Sequence, residues 1–398
     1  MASSTALLSQ ILRKIVASPN DKVAWHELLN FGPTILAKLK RGGSKRNLSN
    51  IVNSRTVVWD KDAMPTVDLC TTHGKASRRV NESSRLASAV SSKLEAGNFR
   101  AALRIVCSSD TMAPVNQDTL KALQAKHPGP AIDRRSSCDP RGNPRFEPLQ
   151  VSRDYMIKAL RTFPLGSSGG PDGITAQHIR DLLAGATDDS LQQTLVDFVN
   201  LTLAGAFDTE VCSIIFGGRL IALSKKDGGI RPISVGYTLR RLVAKCANAH
   251  VIARRSQALQ PQHLGVGVSG GAEAAVLTMR RLLTNLPPGH AVVKLDFSNA
   301  FNCVRRDLIL DSIARNTPEI YRLVHSAYSC QQVLSFRVHE ILSREGAQQG
   351  DPLGSLEFCE AVQPLLERLQ SSAKIGFMDD VTLTGDPVTI ENDIITIL

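Results

Sequence analysis

Residues 374–385 constrain this chain more than any other stretch, because they hold two short apolar runs with adjacent aspartates, Asp379 and Asp380, between them. The pattern reads as a β-hairpin, and two carboxylates at its tip repel one another. That arrangement makes sense when a divalent cation sits between them and a polyanion. A second stretch, residues 291–297, is an apolar strand that ends on Asp296, and helical spacing follows over residues 302–313. If both strands lie side by side in one sheet, Asp296 falls beside Asp379 and three carboxylates converge. Three such carboxylates are the ligand set of a two-metal phosphoryl-transfer site, where one ion activates an attacking hydroxyl and the other steadies a leaving pyrophosphate. A solvated turn carries an Asp-Asp pair equally well, so the remaining stretches decide.

The chain has 398 residues, 42% hydrophobic and 21% charged, which is globular composition with length for two or three domains. Its net charge of +10 favours a polyanionic partner. The distribution is uneven: residues 1–55 carry nine Lys or Arg against two acids, whereas residues 356–398 carry eight acids against two bases. The basic end is the expected nucleic-acid contact and the acidic end the expected cation site. None of the eight cysteines falls in a paired metal-ligand spacing, so they read as buried thiols in a reducing compartment. No histidine stands in a zinc frame, and no apolar run reaches the length of a membrane span. The first 20 residues lack acids, as an organelle-targeting helix does, but Leu7, Leu8, Ile11, Leu12, Ile15 and Val16 make the apolar stripe of an ordinary packed helix.

Along the chain, residues 1–40 read as helical and run into a basic cluster at 38–46, either a nucleic-acid or nuclear-import patch or a solvated helix end before a glycine linker. Residues 61–80 read as irregular, and 81–107 as two helices in a hairpin broken near Gly97. Residues 127–148, rich in Pro, Arg and Ser, read as a linker. Helical spacing returns at 154–160, 179–183 and 191–206, with a glycine-rich turn at 166–174 that lacks the lysine of a P-loop. Residues 219–235 read as two strands joined by an Asp-Gly-Gly turn. Lys225, Lys226 and Arg231 sit around that tip and suit a triphosphate, although a solvated basic turn has the same composition. A long basic helix follows at 237–255, and a glycine-rich loop at 346–355 runs into a helix at 356–369.

In this order the stretches resemble the reverse transcriptase domain, more closely that of metazoan, non-LTR-like retroelements. Gly169 to Gly173 looks like the turn that precedes the fingers, and Lys225 to Ile233 like the fingers hairpin with its Arg231-Pro232-Ile233 tripeptide. Asp296 with Phe297 to Phe301 looks like the first palm motif, Gln349 to Pro352 like the nucleotide and template-primer loop, and Phe377 to Asp380 like the catalytic doublet. The resemblance covers about residues 150–386. It implies an α+β, right-hand polymerase fold of fingers and palm, with an antiparallel palm sheet and packed helices, over residues 151–398. A mainly helical basic region at 1–126 and the linker, taken to 150, precede it.

The implied activity is that of an RNA-directed DNA polymerase, a nucleotidyltransferase that adds deoxynucleoside triphosphates to a primer on an RNA or DNA template with Mg2+ or Mn2+. By the same resemblance Asp296 and Asp379 hold the two ions, Asp380 supports them, and the Phe297 carbonyl adds a ligand. Lys225, Lys226 and Arg231 grip the triphosphate, Gln349 and Gly350 line the nucleotide pocket, and Phe301 is the aromatic gate against a ribose 2′-hydroxyl. Two departures stand out. Phe377 takes a place where many relatives have tyrosine, and only 18 residues follow Asp380, which implies a chain without its thumb and with a weak hold on template-primer. The alternative is a catalytically vestigial nucleic-acid-binding protein of the same fold. An RNA-templated RNA polymerase is argued against by the bulk of Phe301. The expected location is nuclear or cytoplasmic rather than secreted.

Overall fold

The computed structural model describes residues 2–37, 48–59, 82–95, 97–107, 111–225 and 228–398. The basic cluster expected at 38–46, the irregular stretch 61–80 and Lys226 lie outside them. The first elements are α1 (Ala2–Ala17), α2 (Lys22–Ile35), α3 (Leu48–Val57), α4 (Glu82–Glu95) and α5 (Phe99–Cys107). The helical run expected over 1–40 is broken at residues 18–21, where Asp21 caps α2 by accepting from the Val23 and Ala24 amides. Next come β1 (Thr111–Met112), α6 (Gln117–Ala125), α7 (Arg153–Arg161), α8 (Ala176–Ala184), α9 (Ser190–Leu203) and α10 (Thr209–Ile215). The hairpin β2 (Gly218–Ser224) and β3 (Ile230–Gly236) leads to the long α11 (Thr238–Leu259), α12 (Gly271–Thr284) and β4 (Ala291–Asp296). The rest is α13 (Ala300–Cys303), α14 (Arg306–Asn316), α15 (Tyr321–Tyr328), β5 (Gln332–Phe336), β6 (His339–Ser343), α16 (Gly354–Arg368), β7 (Ala373–Phe377), β8 (Asp380–Gly385) and α17 (Pro387–Ile397).

The apolar stripe of α1 is a core face. Leu8, Ile11, Leu12 and Ile15 are buried in one cluster with Leu191, Leu195, Phe198 and Val199 of α9. Polar residues on the same face pair inside: the Thr5 hydroxyl donates to the Leu182 carbonyl at 3.0 Å, and Ser9 and Thr194 share a hydrogen bond at 3.3 Å. Removing such groups from water without partners would cost more than the packing gains, so their pairing is what lets the helix seat. Helices α1 and α2 therefore share a core with residues 151–398. Residues 131–149 lie along α14 and α15. There Ala131 N donates to Glu345, Arg134 to the Tyr328 carbonyl, and Arg135 N to Asp307, while Tyr321 donates its hydroxyl proton to the Cys138 carbonyl.

Two sheets organise the rest. In the larger, β2 pairs antiparallel with β3 over seven positions; the other edge of β2 is shared by β1 near Ser224 and, in parallel, by β5 near Gly218, with β6 beyond β5. Its buried face, with Leu220, Ala222, Leu334, Phe336 and Ile341, closes on Leu120 and Leu123 of α6. The smaller sheet is antiparallel in the order β4-β8-β7. Val381 and Leu383 of β8 are buried against Leu366 of α16 and Leu369 just beyond it, with Leu295 of β4 packed beside them. Period-two alternation then leaves Lys294, Asp296, Asp380 and Thr382 on the opposite face.

Two expectations need correction. The helix expected over 302–313 is two helices, because the Phe301 and Val304 carbonyls, which a continuous helix would use internally, accept instead from the amides of Ala347 and Gly346. The cysteines are not uniformly buried thiols: Cys212, Cys246 and Cys359 are, but Cys107, Cys138 and Cys303 are exposed and Cys330 is partly so. Cys107 and Cys303 end short helices whose outer sides face water, which cysteine tolerates as a small weakly polar group. No disulfide forms among the described residues.

Candidate active site

The strands β4 and β8 pair at six positions, from Ala291 opposite Gly385 to Asp296 opposite Asp380. Directly opposed residues of an antiparallel pair project to one face, so these two carboxylates are neighbours. The direct partner of Asp296 is thus Asp380 and not Asp379, as the sequence suggested. Phe377 pairs with Asp380 across the β7–β8 hairpin, which leaves Met378 and Asp379 as a two-residue turn, with Met378 at φ 56°. Asp379 lies on that turn, adjacent to Asp380 and outside the ladder.

A lysine that the sequence reading passed over completes the cluster. Lys294, two residues before Asp296 and on the same face, places its Nζ 2.9 Å from Asp380 Oδ1. Its pKa is raised, first by the hydrogen bond to Asp380 and then by the charges of Asp380, Asp296 and Asp379. A cation therefore already stands where the fields of all three acids meet.

The other expected motifs pack around this face. Phe301 is half-buried and stacks on Phe358 of α16, with centroids 4.7 Å apart and planes at 17°. Its carbonyl accepts from Ala347 N at 2.7 Å, and the Gln349 carbonyl accepts from Ser234 N of β3 at 2.8 Å. Backbone hydrogen bonds thus link the segment after β4, the loop 346–351 and the β2–β3 hairpin. Gly350 is exposed at φ 114°, and a Cβ there would lie 2.3 Å from the Ser234 carbonyl oxygen, so the approach requires glycine. Phe297 packs between the main core and the cluster beneath β8.

Lys225 and Arg231 are exposed near the end of the hairpin, with Arg231 opposite Leu223 in register and Lys225 N bonded to the Gly229 carbonyl at 2.8 Å. Asp172, in the glycine-rich turn, is buried, accepts from Ile174 N at 3.1 Å, and has its pKa pushed up to about 7 by burial. The turn is packed into the protein here, with Asp172 enclosed.

Below the loop lies a polar network that sequence reasoning missed. Arg306 is fully buried and donates to the Gly346 and Cys330 carbonyls, to Gln332 Oε1 at 2.7 Å and to Ser343 Oγ at 2.8 Å. Tyr328 donates its hydroxyl proton to Glu357 Oε2 at 2.8 Å and accepts from Gln348 N at 3.4 Å. Burial pushes the Glu357 carboxyl up to about 7 in spite of Arg240 and Arg306 nearby. Tyr328 is driven upward for the same reason. Sequence offers one signal for Lys294, its place two residues before Asp296 in an alternating strand. It offers none for Arg306, since a buried arginine is spelled like an exposed one.

The cluster of Asp296, Asp379 and Asp380 fits a hard divalent cation in kind, being all carboxylate oxygen. One cation already stands there, the Lys294 ammonium beside Asp380 within the field of all three acids. As placed, however, no group of three acid, histidine or cysteine side chains among the described residues closes into a metal-holding set.

Residues 223–395 match the family model described as reverse transcriptase (RNA-dependent DNA polymerase), a span that contains β3 to β8 and every motif named above except the 169–173 turn. Among solved structures, apo telomerase from Candida tropicalis truncated from its C-terminal domain aligns at 12% identity and a TM-score of 0.33, covering 100% of this chain and 86% of that one. No curated protein matches the chain. No helix among the described residues is long and apolar enough to cross a membrane.

Proposed function

We propose that this chain, whose residues 223–395 match the reverse transcriptase family model, is a nucleotidyltransferase that extends a primer 3′-hydroxyl with deoxynucleotides at the face bearing Asp296, Asp379 and Asp380. The observation that carries the proposal is the register that sets Asp296 opposite Asp380, with Asp379 beside them on the turn. Asp296 and Asp379 would hold Mg2+ or Mn2+, with Asp380 and the Phe297 carbonyl in support. When bound, the metal lowers the pKa of the primer hydroxyl and neutralises charge on the departing pyrophosphate. The chain's own residues supply position. Lys225, Lys226 and Arg231 would meet the triphosphate as cations, Gln349 and Gly350 line the pocket, and Phe301, backed by Phe358, blocks a 2′-hydroxyl. The net charge of +10 supports a nucleic-acid template as partner. Kinship with non-LTR-like retroelements rests on the sequence of the 169–173 turn.

A second reading, a vestigial nucleic-acid-binding protein, is favoured by the open carboxylate cluster and by the Lys294 ammonium on Asp380. Primer extension on an RNA template with Mg2+, alongside Mn2+ binding followed by electron paramagnetic resonance, separates the two. The enzyme reading expects extension that falls about a hundredfold or more in Asp379→Asn, with Mn2+ binding weakened in the same variant. No extension at low salt and high protein concentration, with Mn2+ left free, sinks it in favour of the second.

A further inference from the structure

Arg240, on the first turn of α11, is only 6% exposed and pairs with Asp351, whose side chain is 4% exposed. Its Nη1 donates to Gln348 Oε1 at 3.1 Å while Nη2 donates to Asp351 Oδ2. The guanidinium carbon stands 5.7 Å from the centre of the Phe216 ring, and the Phe216 carbonyl accepts from Gln348 Nε2 at 2.8 Å. Gly236, the last residue of β3, makes the room: a Cβ there would lie 2.8 Å from Arg240 Nη1. One guanidinium thus grips the two side chains that flank Gln349 and Gly350 and ties both to the end of the β2–β3 hairpin. Among the described residues Gln349 has the backbone bond from Ser234 N and no side-chain hydrogen bond, so little else fixes the shape of these two residues from that side.

We infer that Arg240 is a positioning residue that sets Gln349 and Gly350 in the geometry that receives the incoming nucleotide. This rests on the reading of that face as the nucleotide site. Arginine is needed and lysine does not replace it, because two acceptors in different directions require a planar fork and an ammonium on a flexible stem reaches one of them. Two buried partners also explain why a charge at this depth is tolerated.

The test is Arg240→Lys, which keeps the charge beside Asp351, together with Asp351→Asn, whose remaining oxygen can still accept from Leu353 N as Asp351 does at 2.9 Å. Two quantities are read, steady-state primer extension and amide hydrogen exchange across residues 346–353. The expected result for Arg240→Lys is a KM for deoxynucleotide raised about tenfold with kcat changed less than about threefold, and faster exchange confined to the loop. Asp351→Asn moves both in the same direction, less far. If Arg240 only stabilised the fold, the active fraction would fall: kcat would drop at constant KM, and exchange would quicken through α14 and α16 as well. That pattern, or unchanged exchange in the loop, overturns the inference. Should the unsubstituted chain fail to polymerise, the functional reading falls, and the exchange result alone decides whether Arg240 holds the loop.

Discussion

Replacing Gly350 by alanine tests the contact that joins the loop to the hairpin. Two costs add. A φ of 114° is a conformation almost reserved for glycine, and holding alanine there costs about 1–3 kcal/mol. The new Cβ would also stand 2.3 Å from the Ser234 carbonyl oxygen, backbone that cannot swing aside, so the loop must withdraw and the 2.8 Å bond from Ser234 N to the Gln349 carbonyl is lost, about 1 kcal/mol more. The sum, about 2–4 kcal/mol, is the amount by which local opening at Ser234 becomes easier. Amide exchange of Ser234 should therefore quicken by at least about thirtyfold, since each 1.4 kcal/mol is a factor of ten. The control is Gly228→Ala, at φ 79° with nothing within 4 Å of the added carbon, which bears strain without collision. If Ser234 exchanges at the native rate in Gly350→Ala, or if Gly228→Ala loosens it equally, the steric reasoning is wrong.

Two further outcomes follow from buried groups. Glu357 titrates near 7 in the folded chain against an ordinary 4.5, so the folded state holds a proton there that the unfolded chain has released; stability from this group is fully present below about pH 4.5 and is lost as pH rises through 7. Glu357→Gln should remove up to about 3 kcal/mol of that pH dependence, seen as a flatter series of urea midpoints between pH 5 and 8, and an unaltered slope would refute it. Leu12→Ala, at a fully buried position of α1, should cost about 2–5 kcal/mol. It should shift the main unfolding transition, because α1 shares the core of α9; a shift confined to a separate minor transition would show the N-terminal helices to be an independent unit.

What could be read in the sequence was whatever has a short period or a polar residue at an apolar end. The strands β4, β7 and β8 stand out as short apolar runs, and the acids at their ends were placed to within one position in the ladder, the error coming from a turn whose length sets register but leaves no mark on composition. The helices α4 and α5 and the α1 stripe were legible through apolar spacing. The β5–β6 hairpin was not, because its turn carries Arg337 at φ 58°, without the Asn-Gly or Asp-Gly that announces such a turn. Arg240 stood in a long basic helix and Arg306 in the helical spacing after Asp296; their burial depends on acceptors 24 to 111 positions away in the chain, among them Asp351, Gln332 and Ser343. Long-range pairing of that kind has no local spelling.

The seating of α1 sets a schedule for synthesis. Its hydrogen-bond partners at Leu182 and Thr194 follow 177 and 185 residues later. At translation speeds of roughly 5–20 residues per second, that interval is about 10–35 s. For that time Leu8, Ile11, Leu12 and Ile15 hang outside the ribosome without the surface that finally covers them, a greasy patch open to chaperones and to neighbouring nascent chains. Slower elongation lengthens the wait in proportion, so the yield of this protein from a cell depends on how quickly the codons between Thr5 and Thr194 are read.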